Sequence, residues 1–189
     1  PSRVRGVYYR ENGVLRFTGN RALPDFATLP IPKRHFLDLG PYMRDSLESV
    51  GIQTKRGCPM NCAYCVYPHL NGRRWRMRTP ESVLEEIKYL HADFGVRRIT
   101  FADSVVNLPY DYSTRIFALL KESHLDIEWF GYMHVRGITR EYLHLCLDSG
   151  CKALMFSPDA LSRVALKGLR KNITPEDIPA EVIAKEKEI

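Results

Sequence analysis

The sequence lacks any run of ~18 apolar residues, which excludes a membrane-spanning helix. It has no basic-then-apolar leader, so nothing in it directs secretion. No internal repeat and no low-complexity tract interrupts it, which argues against a repeat array. Cysteine is scarce and unevenly spread. There are five, of which Cys58, Cys62 and Cys65 fall within eight positions, while Cys146 and Cys151 lie five apart much later. An odd, clustered set argues against a disulfide framework and for a reducing compartment, which we take to be the cytoplasm. The chain starts at Pro1 without an initiator Met and stops at Ile189 after a charged helical stretch, so we expect a piece of a longer protein.

A hydrophobic share of 44% beside 26% charged residues is ordinary globular composition, and 189 residues suffice for one domain with a real core. The formal charge of +6 is carried partly in clusters: Arg73, Arg74, Arg76 and Arg78, then Arg97 and Arg98, then Arg163 to Lys171. Such clusters suit nucleic acid, an anionic cofactor or an acidic partner, and equally suit a solvated surface.

Along the chain, two β-prone runs around Asn12-Gly13 predict a small hairpin over 7–17. Pro24, Pro30 and Pro32 then mark an extended connector, so residues 1–49 read as a linker with little regular structure. From residue 50 the pattern changes. Val50 to Thr54 is a short strand leading straight into the cysteines. Thr79-Pro80-Glu81 opens a helix that Gly95 closes, with Thr as cap, Pro in the first turn and a carboxylate at the positive end. Arg98 to Ala102 reads as a buried strand, 110–124 as a helix, and 127–132 as the next strand. A third helix opens at Thr139 and stops at Gly150, a fourth strand covers 153–156, and helices follow over 161–169 and 174–187. This alternation implies βαβ units, a parallel sheet and right-handed crossovers. Ligands of such sheets sit at the carboxyl ends of the strands, which puts the cysteine loop, Asp103, residues 132–136 and residues 157–159 on one rim.

The loop itself is Cys58-Pro59-Met60-Asn61-Cys62-Ala63-Tyr64-Cys65, a C-x3-C-x2-C pattern. Three thiolates this close wrap one face of a cuboidal iron–sulfur cluster and leave its fourth iron without a protein ligand, open to chelate a substrate. Gly57 and Pro59 suit a tight loop. A zinc site with His69 as fourth ligand is the other metal reading.

The motif, its place after the first strand of a βα array, and the aromatic Tyr64 resemble the radical S-adenosylmethionine (radical SAM) superfamily, over about residues 50–178. The stretches Ile52 to Cys58, Gly72 to Glu81, Phe101 to Ser104 and Pro30-Ile31-Pro32 are similar to its subgroup with an upstream cobalamin-binding domain. The resemblance implies a partial TIM-type (β/α) barrel, truncated here to four βα units over 50–189, with the completing strands beyond Ile189. It implies a 4Fe–4S cluster on Cys58, Cys62 and Cys65, bound S-adenosylmethionine, cobalamin from the absent domain, an electron donor such as flavodoxin or ferredoxin, and an unknown substrate.

It also implies roles on the rim. Asp103 would meet the amino group of S-adenosylmethionine, as a carboxylate suits an ammonium. Asp159, where related proteins carry Gly-x-Glu, would accept from ribose hydroxyls. Tyr64 would pack beside the cluster or the adenine. Arg136, by its planar fork, would pair with a cofactor or substrate carboxylate. The arginines 73–78 would steer an acidic substrate or reductant. The rival reading is a non-catalytic zinc or iron–sulfur module that grips nucleic acid through those arginines; we expect neither nucleic acid nor membrane as partner.

Overall fold

The computed structural model describes residues 2–44 and 50–178. It opens with a hairpin, β1 (Tyr8–Glu11) and β2 (Val14–Phe17), whose turn residues Asn12 and Gly13 both have positive φ, 49° and 81°. Only that mirror-image turn matches the twist of the flanking strands, so the Asn-Gly signal is realised as expected. Tyr8 stacks on Phe17 across the ladder with ring centroids 4.4 Å apart.

The connector that follows is more than a tether. Asp25 caps a 3-10 turn over Phe26–Thr28, which buries Phe26, and Leu39 joins the main core just before helix α1 (Gly40–Arg44). Arg34 reaches the sheet edge, donating to the Gly51 carbonyl at 3.1 Å and pairing with buried Glu86 at 3.0 Å. Glu86 also holds Arg78, which is itself buried and donates to Ser82. Two guanidiniums on one buried carboxylate thus fasten the leading segment to the barrel.

The remaining strands are β3 (Val50–Ile52), β4 (Lys55–Arg56), β5 (Arg76–Met77), β6 (Arg98–Phe101), β7 (Glu128–Met133) and β8 (Cys151–Phe156). The helices are α2 (Tyr67–Asn71), α3 (Pro80–Phe94), α4 (Tyr110–Ser123), α5 (Arg140–Asp148) and α6 (Arg163–Gly168). Strands β3, β6, β7 and β8 pair in chain order and in parallel, with Val50, Ile99, Trp129 and Cys151 in successive register. This is the expected α/β architecture, the first part of a TIM-type barrel. The helix starts follow their local chemistry: Thr79, Thr139 and Ser162 each accept from the backbone N–H three residues on. Gly95, at φ 67°, closes α3 in the left-handed region.

The core lies between sheet and helices. Trp129 is fully buried, stacks on Phe117 of α4 at 4.5 Å and meets Phe101 edge-on at 5.3 Å. Its indole N–H donates to Ser149, so the one polar atom of the ring is satisfied. A smaller apolar cluster of Val135, Leu166, Ile173 and Ile178 packs the segment after β8 under the end of β7.

Four further elements depart from or add to the expected set. The two-residue strands β4 and β5 pair antiparallel on either side of the cysteine loop, too short to leave a periodic trace. Helix α2, with Pro68 in its first turn, lies in a stretch to which the sequence pattern assigns no element. The helix expected over 174–187 falls largely outside the described residues; within them, Pro175–Asp177 form a single 3-10 turn.

Candidate functional site

The carboxyl ends of β3, β6, β7 and β8 enclose a cavity of ≈ 200 Å³. Cys58, Cys62 and Cys65 form one wall, Ser104, Tyr132, His134 and Ser157 line the cavity from the other strand ends, and Lys171 joins them from the segment after α6. The three cysteines are unpaired, Cys58 buried and Cys65 exposed. Burial raises the Cys62 thiol pKa, with Lys171 acting against it.

The loop is held by backbone chemistry. Gly57 has φ 90°, and a Cβ there would sit 2.1 Å from the Arg74 carbonyl oxygen, so only glycine lets the chain turn this tightly beside β5. The Cys58 N–H donates to the Gly72 carbonyl at 3.0 Å, the Cys65 N–H to Cys62 at 3.2 Å, and the Ala63 N–H to Leu169 at 2.9 Å. The last of these bonds ties the loop to the segment following α6.

Asp103 turns away from the cavity. Its carboxylate has no solvent exposure and does not line the cavity. It accepts from the Thr54 N–H at 2.9 Å, from the Thr54 hydroxyl and from the Lys55 N–H at 3.3 Å, and pairs with the buried Lys55 ammonium at 3.0 Å. Burial lowers the Lys55 pKa more than the Asp103 charge raises it. The pair therefore forms a floor beneath the cysteine loop. Ser104, the next residue, lines the cavity, and its hydroxyl is buried without a hydrogen-bond partner among the described residues. Asn107 is also structural, exchanging two 2.8 Å hydrogen bonds with the backbone of His134.

Arg136 does not reach the cysteine wall. It lines an adjoining cavity of ≈ 440 Å³ with Met60, Tyr110 and His134, where Asp177 holds its guanidinium at 3.0 Å. His134 borders both cavities; burial first, then the Arg136 and Lys171 charges, lower its pKa. Tyr64 does line the cysteine cavity, and its hydroxyl meets the Asp159 carboxylate. Asp159 sits at φ 64° and also pairs with Lys171, so it is engaged from both sides rather than turned into the cavity. Sequence reading placed Lys171 only within a basic run and missed it as a cavity residue. Burial works against its ammonium, but Asp159 and Tyr64 more than offset that and its pKa is raised.

The arginine row is not a free basic strip. Arg78 is buried on Glu86, Arg76 donates to the carbonyls of Pro24 and Asn71, and Arg73 donates to Asn61.

Against known proteins, the model of the radical SAM superfamily matches residues 52–184. The chain belongs to the radical SAM superfamily. An uncharacterized methyltransferase of Pyrococcus horikoshii is 30% identical over 174 residues, 92% of this chain and 38% of the relative. The fold is that of the cobalamin-dependent S-adenosylmethionine radical enzyme OxsB, with TM-score 0.74 and 20% identity over 93% of this chain and 27% of that one. The radical SAM methyltransferase TsrM of Kitasatospora setae gives TM-score 0.65 and 23% identity over 69% of this chain and 27% of that one. The chain thus spans well under half the length of each of these proteins.

Enzymes of this superfamily carry a 4Fe–4S cluster and S-adenosylmethionine as cofactors and use them with a reductant and a substrate. The residues fit. Three unpaired thiols line one wall of one cavity, and a cuboidal cluster takes each of them on a different iron. A zinc ion instead needs its ligands to converge on one point. Among the described residues no group of three His, Cys, Asp or Glu side chains does so. His69 sits exposed on α2, outside the cavity lining. Among the described residues, no helix is long and apolar enough to cross a membrane.

Proposed function

We propose that this chain is the cluster-binding part of a radical SAM enzyme, with Cys58, Cys62 and Cys65 each ligating one iron, and that methyl transfer is the outcome of its chemistry. The observation that carries the reading is that all three cysteines line one cavity at the carboxyl ends of four parallel strands. The chemistry supplied by a bound cluster is one electron delivered to the sulfonium of S-adenosylmethionine, which breaks its C5′–S bond to give methionine and the 5′-deoxyadenosyl radical. The chain's own residues bind and orient. Tyr64 packs beside the cofactor, and Ser104 lines the same cavity, which Asp103 does not. Asp159 and Arg136 stand just outside, Arg136 in reach of an acid group on a substrate in the adjoining cavity. The apolar Met133, Val135 and Ile173 exclude water from the inner wall.

Methyl transfer rests on the names of the relatives, and cobalamin on the names of the structural neighbours, so a cobalamin domain belongs in our reading upstream of residue 50 and outside this chain. Residues to 49 are the linker and those from 50 the barrel core. Flavodoxin or ferredoxin would supply the electron, in the reducing compartment that five free cysteines suit.

The test is anaerobic reconstitution of a protein containing this chain with iron and sulfide. The expected result is a reducible 4Fe–4S signal in electron paramagnetic resonance (EPR), lost in Cys58→Ala, and formation of 5′-deoxyadenosine or S-adenosylhomocysteine from S-adenosylmethionine. A protein that holds the cluster yet yields neither product refutes the activity, and one that takes up only zinc refutes the site.

A further inference from the structure

Lys171 reaches the cavity from a segment far from the cysteines in sequence. The apolar packing of Leu166 and Ile173 on either side fixes that segment beneath the end of β7. The ammonium donates to the Ser157 carbonyl at 2.8 Å, pairs with Asp159, and lies 5.2 Å over the Tyr64 ring. The Tyr64 hydroxyl in turn meets the same Asp159 carboxylate. Tyr64 stands between Cys62 and Cys65, so this cluster of contacts ends on the turn that carries two of the three thiols. The Ala63 to Leu169 backbone bond runs beside it. Lys171 is 12% exposed, so its contacts are only partly screened by water. Among the described residues that line the cysteine cavity, it is the one lysine or arginine, and no carboxylate shares the lining.

We propose that Lys171 is a positioning residue: through Asp159 and Tyr64 it clamps the Cys62–Cys65 turn to the chain after β8, and it sets a fixed positive charge on the wall facing the thiols. The inference rests on the reading of this loop as the cluster site. Losing the ammonium frees the turn and also leaves the Asp159 carboxylate uncompensated near the cavity. Both effects act on the cluster's surroundings, and the second disfavours its more negative, reduced form.

The experiment compares the unaltered protein with Lys171→Met and Lys171→Arg, and with Lys167→Met as a control on the same basic stretch. Hydrogen exchange before reconstitution should show the amides of residues 62–65 exchanging about tenfold faster in Lys171→Met, with the core strands unchanged. Lys171→Arg should restore slow exchange and Lys167→Met should leave it alone. After reconstitution, an EPR-monitored redox titration should place the Lys171→Met midpoint at a more negative potential, with Lys171→Arg close to the unaltered protein. Unchanged exchange, an unchanged midpoint in Lys171→Met, or failure of arginine to rescue overturns the proposal. Failure of the unaltered protein to take up a 4Fe–4S cluster would instead overturn the cluster reading, which the exchange data do not touch.

Discussion

Replacing Asp103 by Leu tests whether the buried Lys55–Asp103 pair is the floor on which the cysteine loop rests. The substitution leaves the Lys55 ammonium, 1% exposed, with the Val106 carbonyl at 3.1 Å as its remaining acceptor. It also strips an acceptor from the Thr54 and Lys55 N–H groups and from the Thr54 hydroxyl. Removing one partner of a buried ion pair costs ~3–5 kcal/mol, because the other charge stays buried and uncompensated. With a urea slope of ~2 kcal/mol/M, this moves the unfolding midpoint down by ~1.5–2.5 M. Lys55→Met should fall at the lower end, ~3 kcal/mol, since the three other donors still serve the carboxylate. The double variant removes both charges, so its cost should undershoot the sum of the singles by at least ~2 kcal/mol. Urea denaturation followed by tryptophan fluorescence reports this directly, because Trp129 is wholly buried between sheet and helix. Single variants costing under ~1 kcal/mol, or strict additivity in the double, would show that the pair is not the coupled unit described.

Gly57→Ala should prevent iron–sulfur reconstitution, since its Cβ would meet the Arg74 carbonyl oxygen at 2.1 Å; a normal 4Fe–4S absorption spectrum in that variant would contradict the loop geometry. Glu86→Ala strands two arginines and should destabilise the chain by ~3 kcal/mol or more, read as a lower midpoint in urea. Burial pushes Cys146 and Cys151 up to about 12, so at pH 8 only about one in ten thousand of either thiol is ionised. Iodoacetamide followed by peptide mass mapping should therefore label exposed Cys65 in the native apo chain and reach Cys146 and Cys151 only after denaturation. Trp129→Ala, followed by far-ultraviolet circular dichroism in urea because the buried fluorescent reporter is gone, should cost ~3–5 kcal/mol, as it opens a cavity against Phe101 and Phe117.

Much of this protein was legible in its residues. Asn12-Gly13, Thr79-Pro80 and Gly95 encode their turn, cap and stop locally, because each acts through its own backbone or the next few residues. The βα alternation and the cysteine spacing needed no tertiary knowledge either, since parallel strands put successive loops on one rim and three close thiols announce a cluster. What sequence could not decide was the direction of individual side chains at that rim. Asp103 and Ser104 are adjacent, yet Ser104 lines the cavity while the Asp103 carboxylate turns down to Lys55. Arg78 reads like its neighbours but is buried on Glu86. Lys171 stands 106 positions beyond Cys65, and only the packing of Leu166 and Ile173 brings it to the same wall. Local chemistry sets elements and spacing; burial and long-range pairing decide which charges are structural and which face the chemistry.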